Sequence, residues 1–158
     1  MSIATIRNST SEDIPTIKQF IIDLAVYENM LDEVVVTEEL LHEHLFVQHT
    51  ANCILCFVEN EPVGFALYFF NYSTFLGKKG LYLEDLFVKL SYRNKGYGKQ
   101  LLLYLIQLAN EQDCGRMEWS VLNWNQPAID FYNSLGAESM QGWTVYRLDS
   151  KALKQLKK

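Results

Sequence analysis

Arg93-Asn-Lys-Gly-Tyr-Gly98 is the segment of this 158-residue chain best suited to hold an anion. Its two glycines let the backbone turn tightly and come close to a bound group. The apolar run that follows reads as a helix, whose first amide N–H groups would point at the anion with the helix dipole behind them. Arg93 and Lys95 add positive charge, and Asn94, Gly96, Tyr97 and Gly98 complete a cradle for a pyrophosphate. Two commoner phosphate motifs do not fit. A dinucleotide-binding fingerprint needs a small residue where Leu101 stands. A P-loop needs a glycine at Arg93 and a Ser or Thr at Gln100. On these residues alone, a solvated strand-to-helix turn is the alternative.

A second feature lies just upstream. Leu81-Tyr-Leu-Glu-Asp-Leu-Phe-Val88 is an apolar strand carrying two adjacent acids, Glu84 and Asp85. Alternation along a strand sends adjacent side chains to opposite faces. A carboxylate in apolar surroundings is costly unless it has a partner. The pair therefore marks either a working pocket or a set of ion pairs and loop caps. Cys53-Ile-Leu-Cys56 has metal-like spacing, but positions three apart on a strand face opposite ways, so the two read as core cysteines. His42 and His44 lie two apart on a helix, on different faces, and with His49 read as surface residues.

The elements that must position these groups follow from periodicity and punctuation. Ile3–Asn8 reads as a strand. Ser9 and Glu12 have capping-box spacing before a helix that ends near Tyr27, with Pro15 in its first turn. Ile14, Ile17, Ile21, Leu24 and Ala25 give that helix its apolar stripe. Thr37 opens a second helix, with Glu38 and Glu39 at the positive end of its dipole. Residues 51–59 and 63–72 read as strands joined by a turn at Asn60-Glu-Pro62, and 80–88 as the next strand. A helix from Lys99 to about Gln112 follows the glycine turn. Met117–Leu122 reads as a strand, and Pro127–Leu135 as a helix closed by Gly136. Strands near 137–140 and 144–148 complete the sheet, and Ser150–Lys158 reads as a short basic helix. The order is mixed α and β over one domain, 1–158, with strands clustered in the middle.

The bulk numbers narrow the function classes. Hydrophobic residues make up 49% of the chain and charged residues 21%, as in ordinary globular proteins. A net charge of -5 argues against general nucleic-acid binding, which needs a basic face. No segment is long and apolar enough to span a membrane, and Met1–Arg7 lacks the pattern of a signal peptide. Three cysteines without a secretion signal suggest free thiols, so a cytoplasmic protein is expected.

The strand with Glu84 and Asp85, the Arg93–Gly98 turn and the apolar helix after it together resemble the acetyl-CoA motif of the GCN5-related N-acetyltransferases. Asn123-Trp-Asn-Gln-Pro-Ala-Ile-Asp-Phe-Tyr-Asn-Ser-Leu-Gly-Ala137 is similar to the late motif of that superfamily. Leu24-Ala-Val-Tyr-Glu28, Gly64-Phe-Ala-Leu-Tyr68, Tyr82-Leu-Glu-Asp85 and Trp124-Asn125 resemble the diamine branch, which includes spermidine/spermine and thialysine acetyltransferases. The resemblance implies an α/β (α+β) fold with a central mixed, mostly antiparallel sheet flanked by helices. It implies acetyl transfer from acetyl-CoA to a primary amine of a small molecule, and a homodimer.

It also implies roles. The pantetheine arm of the cofactor would run along Leu86, Phe87 and Val88, with a backbone N–H near Phe87 as oxyanion donor. The pyrophosphate would meet Asn94 to Lys99. Asn125, Gln126, Pro127 and Ala128 would flank the arm. Tyr132 matches the family's general acid for the departing thiolate, and Glu84 its general base, direct or through a water. Tyr27, Glu28, Asp85 and Trp143 are candidates to contact the amine. No metal is implied. The spermidine/spermine enzymes carry acids where this chain has Ser73 and Gln141, which points to a short diamine or lysine-like amine over a long polycation. Acetylation of a protein terminus or lysine, or non-catalytic acyl-CoA sensing, are the rival readings. Tyr132 and Glu84 argue against the sensor.

Overall fold

The computed structural model describes residues 3–157. It divides into two compact units between Ser120 and Val121.

The first unit is built on a five-stranded sheet in the order β1-β2-β3-β4-β5. The strands are β1 Ala4–Asn8, β2 Asn52–Val58, β3 Glu61–Ser73, β4 Lys78–Val88 and β5 Arg116–Trp119. The first three pairings are antiparallel, and β4 with β5 is parallel. This is the mixed, mostly antiparallel sheet expected.

One face of the sheet is covered by α1 (Ile14–Tyr27) and α2 (Glu38–His42). Ile14, Ile17 and Phe20 of α1 are buried with Leu41, Leu45, Cys53, Leu55, Phe65 and Phe87. Phe20 stacks on Phe65 at 5.4 Å between centroids and tilts against Phe87 at 6.2 Å. Each such ring contributes roughly 1.5–3 kcal/mol by leaving water. The other face receives α3 (Tyr97–Glu111), whose Leu101, Leu102 and Leu105 are fully buried. Gly64 makes that approach possible. A Cβ there would stand 2.8 Å from the Phe87 carbonyl oxygen and 3.3 Å from a Leu101 methyl. Cys53 and Leu55 thus face α1, while Cys56, paired with Gly64, faces α3. The two cysteines point opposite ways, as alternation requires, and burial pushes their thiols up to about 12 and about 11.

Two local readings are corrected. The capping box before α1 is Thr10 with Asp13, not Ser9 with Glu12. A 3-10 turn at Ser11–Asp13 shifts the cap by one residue, and Asp13 there also pairs with Arg7 at 2.8 Å. The β2–β3 turn is centred on Glu59 and Asn60, with φ of 51° and 67°, which matches the twist of a tight hairpin. Pro62 lies inside β3 instead, opposite Phe57 at a bulge, where a missing N–H is tolerated.

The second unit contains α4 (Gln126–Ser134) and α5 (Ser150–Gln155). The Asn125 side chain caps α4, accepting from the Ala128 N–H at 3.4 Å. Gly136, at φ 84°, ends it, and the Ala137 N–H returns to the Tyr132 carbonyl at 3.2 Å. The strands expected near 137–140 and 144–148 are absent. Their residues pair with no strand among the described residues, and Met140, Val145, Tyr146 and Leu148 are exposed. Alternation alone does not make a strand; a neighbouring ladder does. No helix among the described residues is long and apolar enough to cross a membrane.

Candidate active site

The geometry of β4 organises the site. Along one edge β4 pairs with β3 from Lys78 to Val88. Along the other it pairs with β5 only from Gly80 to Leu83. From Glu84 to Val88 that second edge has no strand neighbour among the described residues. An open strand edge offers main-chain donors and acceptors to an extended ligand. Leu86, Phe87 and Val88, the stretch expected to meet a pantetheine arm, lie on this open edge.

The same point carries a β-bulge. Tyr68 pairs with Leu83 and Leu67 with Asp85, so Glu84 is one residue too many. Before the bulge, Tyr82 shares a face with Phe69, stacked at 5.1 Å. After it, Asp85 shares a face with Leu67 and Phe87, both in the cluster under α1. The register shift puts Leu83 and Asp85 on opposite faces and leaves Glu84 between them with no residue of β3 opposite it. Strict alternation, on which the opposite-face expectation for Glu84 and Asp85 rests, is interrupted at this bulge.

A third acid joins them. Glu28 follows the last residue of α1, and burial raises its pKa. Asp85 is pushed up to about 7, chiefly by burial, then by the charges of Glu84 and Glu28. Removing water from a carboxylate disfavours its charged form, and two nearby like charges disfavour it further. Asp85 therefore exchanges its proton near neutrality. Glu84 is solvent-exposed.

The glycine turn has the conformation of a cradle. Asn94 and Gly96 take left-handed backbone angles, φ 60° and 86°. Gly96 precedes the first turn of α3 without a side-chain cap, and its carbonyl accepts from the Gln100 N–H. The opening N–H groups of a helix lack partners inside it. Asn94, Lys95 and Gly96 are exposed, and a Cβ on Gly98 would meet nothing nearer than a Val88 methyl at 3.8 Å. The backbone thus fits a pyrophosphate. The cationic side chains make contacts within the protein. Lys95 Nζ donates to the Ser91 carbonyl at 3.1 Å. Arg93 Nε donates to the Val88 carbonyl at 2.9 Å, with its guanidinium 4.3 Å from the centre of the Tyr27 ring. Lys99 is exposed on the first turn of α3.

Gly98→Asp tests the cradle. The backbone there is helical and roomy, so the fold should persist. A carboxylate beside a bound pyrophosphate should weaken CoA binding about tenfold or more, the equivalent of ~1.4 kcal/mol. Calorimetric titration with CoA checks it, and unaltered affinity in a folded variant would disprove the assignment.

In the second unit, Asn125, Gln126, Pro127 and Ala128 form the N-terminus of α4, with Gln126 bonded to Asp130 at 2.6 Å. Tyr132 is half-buried on α4 beside Phe131, ring centres 5.5 Å apart. Trp143 is 78% exposed in a segment without regular structure. Ser73, whose side chain was expected to bear on the amine, is buried at the far end of β3. Its Oγ accepts from the Leu76 N–H at 3.2 Å within the β3–β4 turn. It stands five positions from Tyr68, about 17 Å along the strand, so it does not adjoin Glu84. The bulge, and Arg93 reaching toward α1, were missed in the sequence. The adjacent Glu-Asp in an apolar strand was the one available signal for the first, and the second had none.

Residues 20–137 match the acetyltransferase (GNAT) family. The chain is 32% identical to the thialysine N-epsilon-acetyltransferase of Bos taurus, over 99% of this chain and 98% of that protein. It is 35% identical to the spermidine/spermine N(1)-acetyltransferase-like protein 1 of Homo sapiens, over 97% of this chain and 24% of that protein. Among solved structures it superposes on an integron cassette protein from the mobile metagenome of V. cholerae. The TM-score is 0.81 at 27% identity, covering 99% of this chain and 98% of that one.

Proposed function

This chain belongs to the acetyltransferase (GNAT) family and is an N-acetyltransferase for small-molecule amines, and from that premise we propose that its acceptor is a short amine with a second polar or charged end, lysine-like or a diamine. The observation that carries this reading is the cluster of acids at the bulge of β4, where the charges of Glu84 and Glu28 reach Asp85 beside the edge that β5 leaves unpaired. Glu84 and Asp85 supply groups for the reacting ammonium, and Glu28, whose charge reaches Asp85, supplies one for a distal cation. The name of the bovine relative supports a lysine-like acceptor.

Acetyl-CoA is the proposed donor, and it supplies the acetyl group as a thioester. The backbone of Asn94 to Lys99 would hold its pyrophosphate, and Leu86, Phe87 and Val88 its pantetheine arm. Glu84 and Asp85 act together as the base. Glu84, exposed, meets the ammonium directly or through a water, and Asp85 holds the proton once it has left nitrogen. The neutral amine can then bond to the acetyl carbon. A backbone N–H near Phe87 donates to the carbonyl oxygen as negative charge gathers there. Tyr132 gives its phenolic proton to the sulfur as the carbon–sulfur bond breaks, and is reprotonated by the second proton lost from nitrogen. Tyr27 and Glu28 contact the amine's distal part, and Trp143 is a further contact by resemblance. The family match crosses the boundary between the two units, which supports a single catalytic domain over 1–158. The free thiols support a cytoplasmic location, and resemblance supports a homodimer, which light scattering would test.

A panel of amines decides the acceptor. Thiol release from acetyl-CoA should show higher kcat/KM for thialysine, lysine or putrescine than for spermine. A preference for spermine would overturn this reading of the carboxylates. Replacing Ser73 with an acid is not a useful test, because its hydroxyl is committed to the hairpin turn.

A further inference from the structure

The side chain of Arg93 leaves the phosphate turn and crosses to the α1 face of the sheet. Nε donates to the Val88 carbonyl at 2.9 Å, which fixes the plane of the guanidinium at the end of β4. That plane lies 4.3 Å from the centre of the Tyr27 ring and 5.2 Å from that of Phe87. A partly buried guanidinium held against two aromatic rings is a cation–π arrangement of the stronger kind. Tyr27 is the last residue of α1, and Glu28, whose charge bears on Asp85, comes next. On its other side, Arg93 leads directly into Asn94 and Gly96, the left-handed residues of the phosphate turn.

We infer that Arg93 is a positioning residue for the amine side of the site, holding Tyr27 and Glu28 against the end of β4, and that its side chain is not a ligand of the pyrophosphate. The inference rests on the reading above that Tyr27 and Glu28 meet the amine. One residue then joins two functions: its backbone begins the phosphate turn, and its side chain holds the amine-facing end of α1. Lysine cannot replace it fully. An ammonium keeps the charge but lacks a flat face for Tyr27 and a fixed Nε–H for Val88.

The test separates cofactor affinity from amine affinity. Arg93→Gln should raise the amine KM about tenfold, while CoA affinity by calorimetry stays within about twofold. Arg93→Lys should fall between wild type and Arg93→Gln in amine KM. If Arg93→Gln does not fold, the split between KM and CoA affinity in Arg93→Lys decides alone. Tyr27→Leu should itself raise the amine KM, and adding Arg93→Gln to it should then change KM by less than about twofold, because the ring that Arg93 positions is gone. Loss of CoA affinity with unchanged amine KM would make Arg93 a phosphate ligand and overturn the inference. Equal losses in both, with a lowered melting temperature, would make it a structural residue and overturn it too. If Tyr27→Leu leaves amine KM unchanged, the reading of the amine site fails and the inference with it. If Tyr27→Leu raises KM and the Arg93 variants do not, the inference alone fails.

Discussion

Asp85→Asn should lower kcat/KM for the amine by about a hundredfold or more at pH 8, and the variant should be more stable than the parent at that pH. Both effects come from one environment. Burial, with the charges of Glu84 and Glu28, pushes the Asp85 carboxyl up to about 7. A base with that proton affinity is well matched to accept a proton near neutrality, and asparagine cannot accept one. The parent should therefore lose activity as pH falls through about 7, when Asp85 becomes protonated, and the variant should lack that limb. Glu84→Gln should reduce the rate but keep the limb, since Asp85 is still present.

Stability moves the other way. The folded chain holds the Asp85 proton more tightly than the unfolded chain does. Between the ordinary carboxylate range and pH 7, stability therefore declines as pH rises. Asparagine removes that cost, on the order of 2 kcal/mol at pH 8 after allowing for the solvent that reaches the site. Thermal melts at pH 5 and pH 8 check it, with the gain confined to the higher pH. An active variant with an unchanged pH profile would remove Asp85 from the base.

Tyr132→Phe should reduce kcat about a hundredfold, the usual cost of losing a general acid. The substitution removes one hydroxyl and keeps the ring beside Phe131, so α4 should be little disturbed. CoA affinity should be unchanged, because the proton is needed only as sulfur leaves. Single-turnover kinetics, which exclude product release, make the measurement. Wild-type turnover would reduce Tyr132 to an ordinary packing residue of α4 and leave the proton for sulfur to come from elsewhere.

Much of this protein could be read from local sequence, because the features concerned are local. A glycine pair before an apolar helix specifies a left-handed turn and an uncapped helix start, and Gly96 and α3 have that form. The helix expected from Pro127 and closed by Gly136 is present as α4, and Gly136 takes φ 84°. Cys53 and Cys56 lie on opposite faces because an unbulged stretch of strand alternates. The motif order placed the chain in its family before any coordinate was needed.

What escaped the sequence depends on relations between segments far apart in the chain. A bulge belongs to two strands at once: Glu84 is surplus only because Leu67 and Tyr68 pair across it with Asp85 and Leu83. One residue of register put Leu83 and Asp85 on opposite faces, where plain alternation would have put them on one. The direction of Arg93 was likewise set from outside, by a ring at the end of α1 and a carbonyl at the end of β4. Charge and spacing pointed it at phosphate, and the structure shows its guanidinium against the Tyr27 and Phe87 rings. Residues 144–148 show the converse, since their strand-like pattern had no ladder to join. Sequence determines what a segment prefers, and the tertiary structure decides which partner it meets, because register, burial and side-chain direction exist only between elements.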